Sequence, residues 1–151
     1  MSVMSFRRVR TAALAMSIGV AAFAAPVSAS ADPPSGPPCW GSGCVGGDPN
    51  SINGRSCADD ATTVASIVPP DGGPTISLRW SSYCQANWAL TDDPGANYWD
   101  GRWWAETYDG KRAYGSWPIP YTEMVDGSQL ARVCVVPVAY PLDDPVCTGW
   151  N

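Results

Sequence analysis

All six cysteines, Cys39, Cys44, Cys57, Cys84, Cys134 and Cys147, lie behind a segment that reads as an export signal. An even number of cysteines in a short exported chain implies a disulfide framework. Such a framework points to a small stapled body rather than one held by a large core. Six cysteines allow 15 connectivities. Proximity along the chain suggests Cys39–Cys44 and Cys134–Cys147, which leaves Cys57–Cys84. Closing the loop between Cys57 and Cys84 contributes roughly 3 to 4 kcal/mol in the chain-entropy model. The rival reading is zinc. Cys39 and Cys44 have tolerable ligand spacing, but no second close pair completes a site and the histidine count is 0. No metal and no cofactor is expected.

The export signal occupies residues 1–31. Arg7, Arg8 and Arg10 make a basic start, residues 11–25 form an Ala-rich apolar run, and Ala29-Ser30-Ala31 fits the A-x-A cleavage pattern. The expected cut falls between Ala31 and Asp32, with Val27-Ser28-Ala29 as a second option. A run of about 15 apolar residues is short of the roughly 20 that a membrane-spanning helix needs. The mature protein is therefore expected outside the cell and off the membrane.

Net charge excludes further classes. The chain carries 9 Lys+Arg and 14 Asp+Glu, and removing the three N-terminal arginines leaves 6 against 14, or −8. Nucleic-acid binding draws most of its affinity from Lys and Arg neutralising phosphates, so a body this acidic argues against it. Anionic membrane surfaces are disfavoured for the same reason. Without histidine there is no Ser-His-Asp or Cys-His catalysis.

Residues 32–56 are dense in Gly, Pro and Ser and read as a flexible lead followed by a stapled loop. Residues 57–151 read as the folded body. Strand signals dominate there: 61–68, 75–82, 85–91, 101–108, 121–125, 130–138 and 146–150, separated by turn sequences such as Pro69-Pro70-Asp71-Gly72 and Asp109-Gly110. Scattered prolines oppose any long helix. The expected fold is all-β, a small disulfide-stapled β-sandwich or barrel of six to seven short strands.

Several spaced stretches carry a family resemblance: Cys-Val-Gly-Gly-Asp-Pro at 44–49, Cys-Ala-Asp-Asp-Ala-Thr-Thr-Val-Ala-Ser at 57–66, and Ile-Ser-Leu-Arg-Trp-Ser-Ser-Tyr-Cys-Gln-Ala-Asn-Trp-Ala at 76–89. Tyr-Thr-Glu-Met-Val at 121–125 and Ala-Arg-Val-Cys-Val at 131–135 continue the series. Together they resemble the DUF2690 family, a domain of unknown function in exported actinobacterial proteins. The similarity extends over most of 39–150. The chain departs from that pattern at Trp80, where the family usually shows tyrosine, and in an aromatic-rich insert near 98–104. The resemblance implies a secreted domain with this cysteine framework. It implies no catalytic residues and no ligand.

Tryptophan is the strongest chemical signal, with 8 in the chain, and every Phe falls within the export signal. Trp80 and Trp88 sit in strand-like stretches beside Cys84 and are expected in the core. The cluster Tyr98, Trp99, Arg102, Trp103 and Trp104 differs. Successive strand side chains face opposite ways, so one of Trp103 and Trp104 is expected to pack inward. The other, with Trp99 or Tyr98, is expected to form a partly exposed ligand-binding platform. Carboxylates are the only acid/base groups available. Glu106, facing Asp100 or Glu123, would suit a glycosidase, which needs two carboxyl groups about 5 to 10 Å apart. Glu106 also reads as the solvent face of an amphipathic strand. Asp48 to Gly54 resembles a calcium loop, but Ile52 stands where an oxygen ligand is required. No catalytic set is assigned.

These observations favour a secreted, non-catalytic binding or interaction module whose extracellular partner is a glycan or a protein. The alternative is a small secreted carboxylate-dependent hydrolase such as a glycosidase. A second carboxylate facing Glu106 across a cleft would discriminate between them.

Overall fold

The computed structural model describes residues 36–93, 102–137, 140–141 and 143–151. Residues 1–35 and 94–101, the latter including Tyr98 and Trp99, lie outside the described residues.

β-Branched and aromatic residues alternate along the chain and fold into two antiparallel sheets. The first contains β1 (Thr62–Ile67), β2 (Ile76–Ser81), β3 (Ala86–Thr91) and β6 (Val125–Asp126), in the order β1-β2-β3-β6. The second contains β4 (Trp103–Thr107), β5 (Arg112–Tyr114), β7 (Ala131–Val135) and β8 (Val146–Cys147), in the order β5-β4-β7-β8. The described residues thus form eight strands, packed as a sandwich and not as a closed barrel. The strand beyond the expected six or seven is β5. Its three residues, Arg-Ala-Tyr, are too few and too polar to signal a strand, yet they complete the hairpin that Asp109-Gly110 turns.

Ile76, Leu78 and Ala89 from the first sheet meet Trp103, Ala105, Val133 and Val135 from the second to form the central core. The Trp103 ring fills the space where a Cβ on Gly115 would sit, so only glycine fits at 115. A second cluster lies on the other face of β3, where Ala86 and Trp88 pack with Cys44, Cys57, Cys84 and Met124. Residues 39–57 form this extra layer, and they belong to the same compact unit as the strands.

There are three disulfides: Cys39–Cys44 within the extra layer, Cys57–Cys84 between that layer and the β2–β3 turn, and Cys134–Cys147 across the paired strands β7 and β8. They fit an oxidising environment. Among the described residues no helix is long and apolar enough to cross a membrane.

Within the stapled layer, Ile52 and Arg55 form a bridge around Asn53-Gly54, both at positive φ (52° and 74°). That is the two-residue turn such Asn-Gly pairs favour. The stretch that resembled a failed calcium loop therefore ends in a hairpin.

Candidate functional site

The structure corrects the expected aromatic platform. Trp103 is 3% exposed and Trp104 is 5% exposed. They do face opposite sides of β4, as strand geometry requires, but both sides are covered. Trp103 joins the central core. Trp104 packs on the outer face of the second sheet with Cys134, Val136 and Cys147. Tyr114 lies over it at a ring-centroid distance of 5.7 Å, and the Arg112 guanidinium stacks at 5.0 Å. Arg102 donates to the Pro137 carbonyl at 3.2 Å. Two-sided burial was not visible in the strand pattern, because the cover comes from β5, β8 and a disulfide distant in sequence.

Glu106 is likewise buried rather than solvent-facing. Its Oε2 accepts from Trp104 Nε1 at 2.9 Å and from Arg112 Nε at 2.7 Å. Its Oε1 accepts from Arg132 Nε at 2.7 Å. Arg132 in turn stacks on Trp150 at 4.2 Å. Burial alone would raise the Glu106 carboxyl, but the hydrogen bonds from Trp104, Arg132 and Arg112, with the charge of Arg132, hold it below its ordinary value. A carboxylate engaged in this way is a structural hub of the outer face. Its hydrogen-bond partners among the described residues are one indole and two guanidinium groups, and none is a carboxylic acid such as Glu123.

Exposed chemistry converges elsewhere, at the side of the sandwich where β5 and the segment before β6 run near each other. A groove of about 560 Å³ opens there. Arg112 and Tyr114 of β5 form one wall, Tyr121 and Glu123 the other, with Asp48 and Ile119 along its rim. Each wall has a local cause. Residues 120–122 are held along β3 by Thr91 N–H to the Pro120 carbonyl at 2.7 Å and Thr122 N–H to the Ala89 carbonyl at 3.0 Å. The stapled loop is laced to the same segment, Gly46 N–H to the Met124 carbonyl at 3.0 Å and Met124 N–H to the Gly47 carbonyl at 2.9 Å. Asp48 is fixed by accepting from the Asn50 N–H at 2.8 Å and from the Tyr121 hydroxyl at 3.3 Å.

The β5 wall is a strand edge left unpaired among the described residues. Gly115 donates to the Trp103 carbonyl and Thr107 to the Lys111 carbonyl, at 2.8 and 3.0 Å. Antiparallel pairs alternate, so Ala113 exchanges bonds with Ala105 while the N–H and C=O groups of Arg112 and Tyr114 turn away from β4. Among the described residues no strand pairs with that edge. Tyr114 and Ile119 are 50% and 47% exposed. Sequence reasoning missed this site. It is assembled from three segments, 46–48, 112–116 and 119–123, and no local sequence pattern marks where they meet.

The four sulfurs of Cys39, Cys44, Cys57 and Cys84 lie within 4.8 Å of one another. Spacing alone found no partner pair for Cys39 and Cys44, whereas the fold supplies one. As two disulfides these sulfurs offer no thiolate to a metal.

No family model, no curated protein and no solved structure matches this chain.

Proposed function

We propose that this protein is a secreted, non-catalytic interaction module that takes an extended peptide segment of an extracellular partner protein into the groove beside β5. The observation that carries this reading is the β5 edge, unpaired among the described residues, forming a wall of a groove with apolar and carboxylate side chains. Strand addition uses main-chain hydrogen bonds for affinity and side-chain pockets for specificity. Here Arg112 and Tyr114 supply the main-chain groups, while Ile119 and Tyr121 supply apolar surface. Asp48 and Glu123 favour basic residues in the peptide, because Arg112 is already engaged by Glu106. The staples hold the stapled-loop wall in place before binding, which reduces the ordering entropy. Secretion agrees with the signal-like N-terminus and the disulfides. Two of the stretches that resemble DUF2690 meet at this groove.

The test is selection of linear peptides from a random library, followed by amide hydrogen exchange on the complex. Slowed exchange at Arg112 and Tyr114 is expected, with enrichment of Lys and Arg in the selected peptides. Selected peptides that leave both amides unprotected would overturn the reading.

One observation favours a second reading. Asp48 and Glu123 line the same groove, as the two carboxylates of a glycosidase would. Sugar release from neutral polysaccharide that is lost in both Asp48→Asn and Glu123→Gln would establish it.

A further inference from the structure

A separate pocket of about 370 Å³ opens where the first sheet meets the turn after β6. Trp80 and Asn87, neighbours on β2 and β3, form its inner wall, with Val64, Ser128, Gln129 and Leu130 around them. Trp80 was expected in the core, yet it is only partly buried. It stands at the end of the inward row Ile76, Leu78, Trp80, beyond the cover of the second sheet.

Asn87 is the unusual residue. It is 4% exposed and points to the same side of β3 as core Ala89. Its side-chain amide carries two donors and an acceptor, and none of them has a hydrogen-bond partner among the described residues. The Trp80 indole N–H also has none. Buried polar groups in native proteins are nearly always paired, so an unpaired amide aimed into a pocket calls for an explanation.

We infer that this pocket is a binding site for a neutral saccharide unit, held by the Asn87 amide against the Trp80 ring. Three features select that ligand class. No Asp, Glu, Lys or Arg side chain lines the pocket among the described residues, where Asn151 completes the lining, so the lining side chains offer an ionic ligand no counter-charge. A sugar hydroxyl both donates and accepts, which meets both halves of a primary amide. The indole face, flanked by Val64 and Leu130, suits the C–H face of a sugar ring, since an indole offers an apolar body with a polar handle. The volume lies at the small end of ligand pockets and fits about one ring. The inference is independent of the β5 groove, which has a different lining.

The test is nitrogen-15 NMR of the labelled protein, following the Asn87 side-chain amide and the Trp80 indole resonances. The probes are cellotetraose and chitotetraose, with tetragalacturonate and a neutral Ala-Ser peptide as controls. At least one neutral tetramer should move both resonances while Tyr114 and Tyr121 stay in place and the controls have no effect. Asn87→Leu should weaken that binding at least tenfold and leave the thermal midpoint unchanged or higher, because an unpaired buried amide is replaced by an apolar group of similar size. The inference fails if neither neutral tetramer moves the resonances, or if the peptide moves them instead. It also fails if Asn87→Leu lowers the midpoint, which would reveal a structural partner for the amide.

Discussion

The Tyr121 hydroxyl donates to the Asp48 carboxylate at 3.3 Å across 73 residues of sequence. This contact ties the stapled loop to the segment running along β3, and both flank the groove. The groove therefore depends on a tertiary arrangement rather than on any one motif.

The rim residue Ile119 separates binding from folding. It is half-exposed and lies outside every hydrophobic cluster of the described residues. Ile119→Asp should change stability by less than about 0.5 kcal/mol, as exposed substitutions usually do. It should nevertheless abolish capture of the selected peptides. A thermal midpoint and a peptide titration on the same sample check both halves, and undiminished peptide affinity would remove the groove from consideration.

Trp103 and Trp104 are both buried, on opposite faces of one strand, so both matter for stability. Each Trp→Ala substitution should destabilise by roughly 3 to 5 kcal/mol in urea unfolding. Trp104→Ala also removes a donor to Glu106, so its effect should be non-additive with Glu106→Gln. If Trp104→Ala proves nearly neutral, the covered outer face described above is not present in solution.

What was legible in the sequence follows from the range of each signal. Ile76, Leu78 and Trp80 alternate with Ser77 and Arg79, and that local period shows β2 directly. Cysteine proximity likewise pointed to the three bridges now seen. Glu106 looked like a solvent-facing residue because period 2 shows which face a side chain takes, not what covers that face. Its cover is Trp104, Arg112 and Arg132, two of them from other strands. The groove was illegible for a related reason. Asp48, Tyr114 and Tyr121 come from three segments whose meeting is decided by packing. Asn53-Gly54 is a local signal of a different kind, since an Asn-Gly pair favours a two-residue hairpin turn whatever its flanking oxygen groups.

The disulfides should rank by the loop each closes. Sequence separations are 27 for Cys57–Cys84, 13 for Cys134–Cys147 and 5 for Cys39–Cys44. Chain entropy then gives contributions of roughly 3.6, 3 and 2 kcal/mol. Paired Cys→Ser variants, unfolded in urea, should lose stability in that order. A larger loss from the Cys39–Cys44 pair than from Cys57–Cys84 would show that packing, not loop closure, dominates the stapled layer.

Acid should act through Glu106. Its folded carboxyl is held below its ordinary value of 4.5, despite burial, by Trp104, Arg132 and Arg112. A group with a lowered folded pKa contributes stability that is complete above the unfolded value and is lost as pH falls through the folded one. Asp60 and Asp126 are shifted in the same direction from 3.8, against burial, Asp60 by hydrogen bonds from Ser81, Ser82 and the Tyr83 N–H, and Asp126 by bonds from Ser128 and Gln129. Stability should therefore be level from neutral pH to about 5 and decline below 4.5. Glu106→Gln leaves two guanidinium groups without their carboxylate, and both reach solvent in part, so the loss at neutral pH should be about 2 to 3 kcal/mol. The difference between wild type and Glu106→Gln should shrink as pH falls below 4.5, because the wild-type carboxyl becomes protonated too. Urea midpoints taken from pH 7 down to about 3 measure that difference. A gap that stays constant over the whole range would mean that the ionised form of Glu106 is not what holds the outer face together.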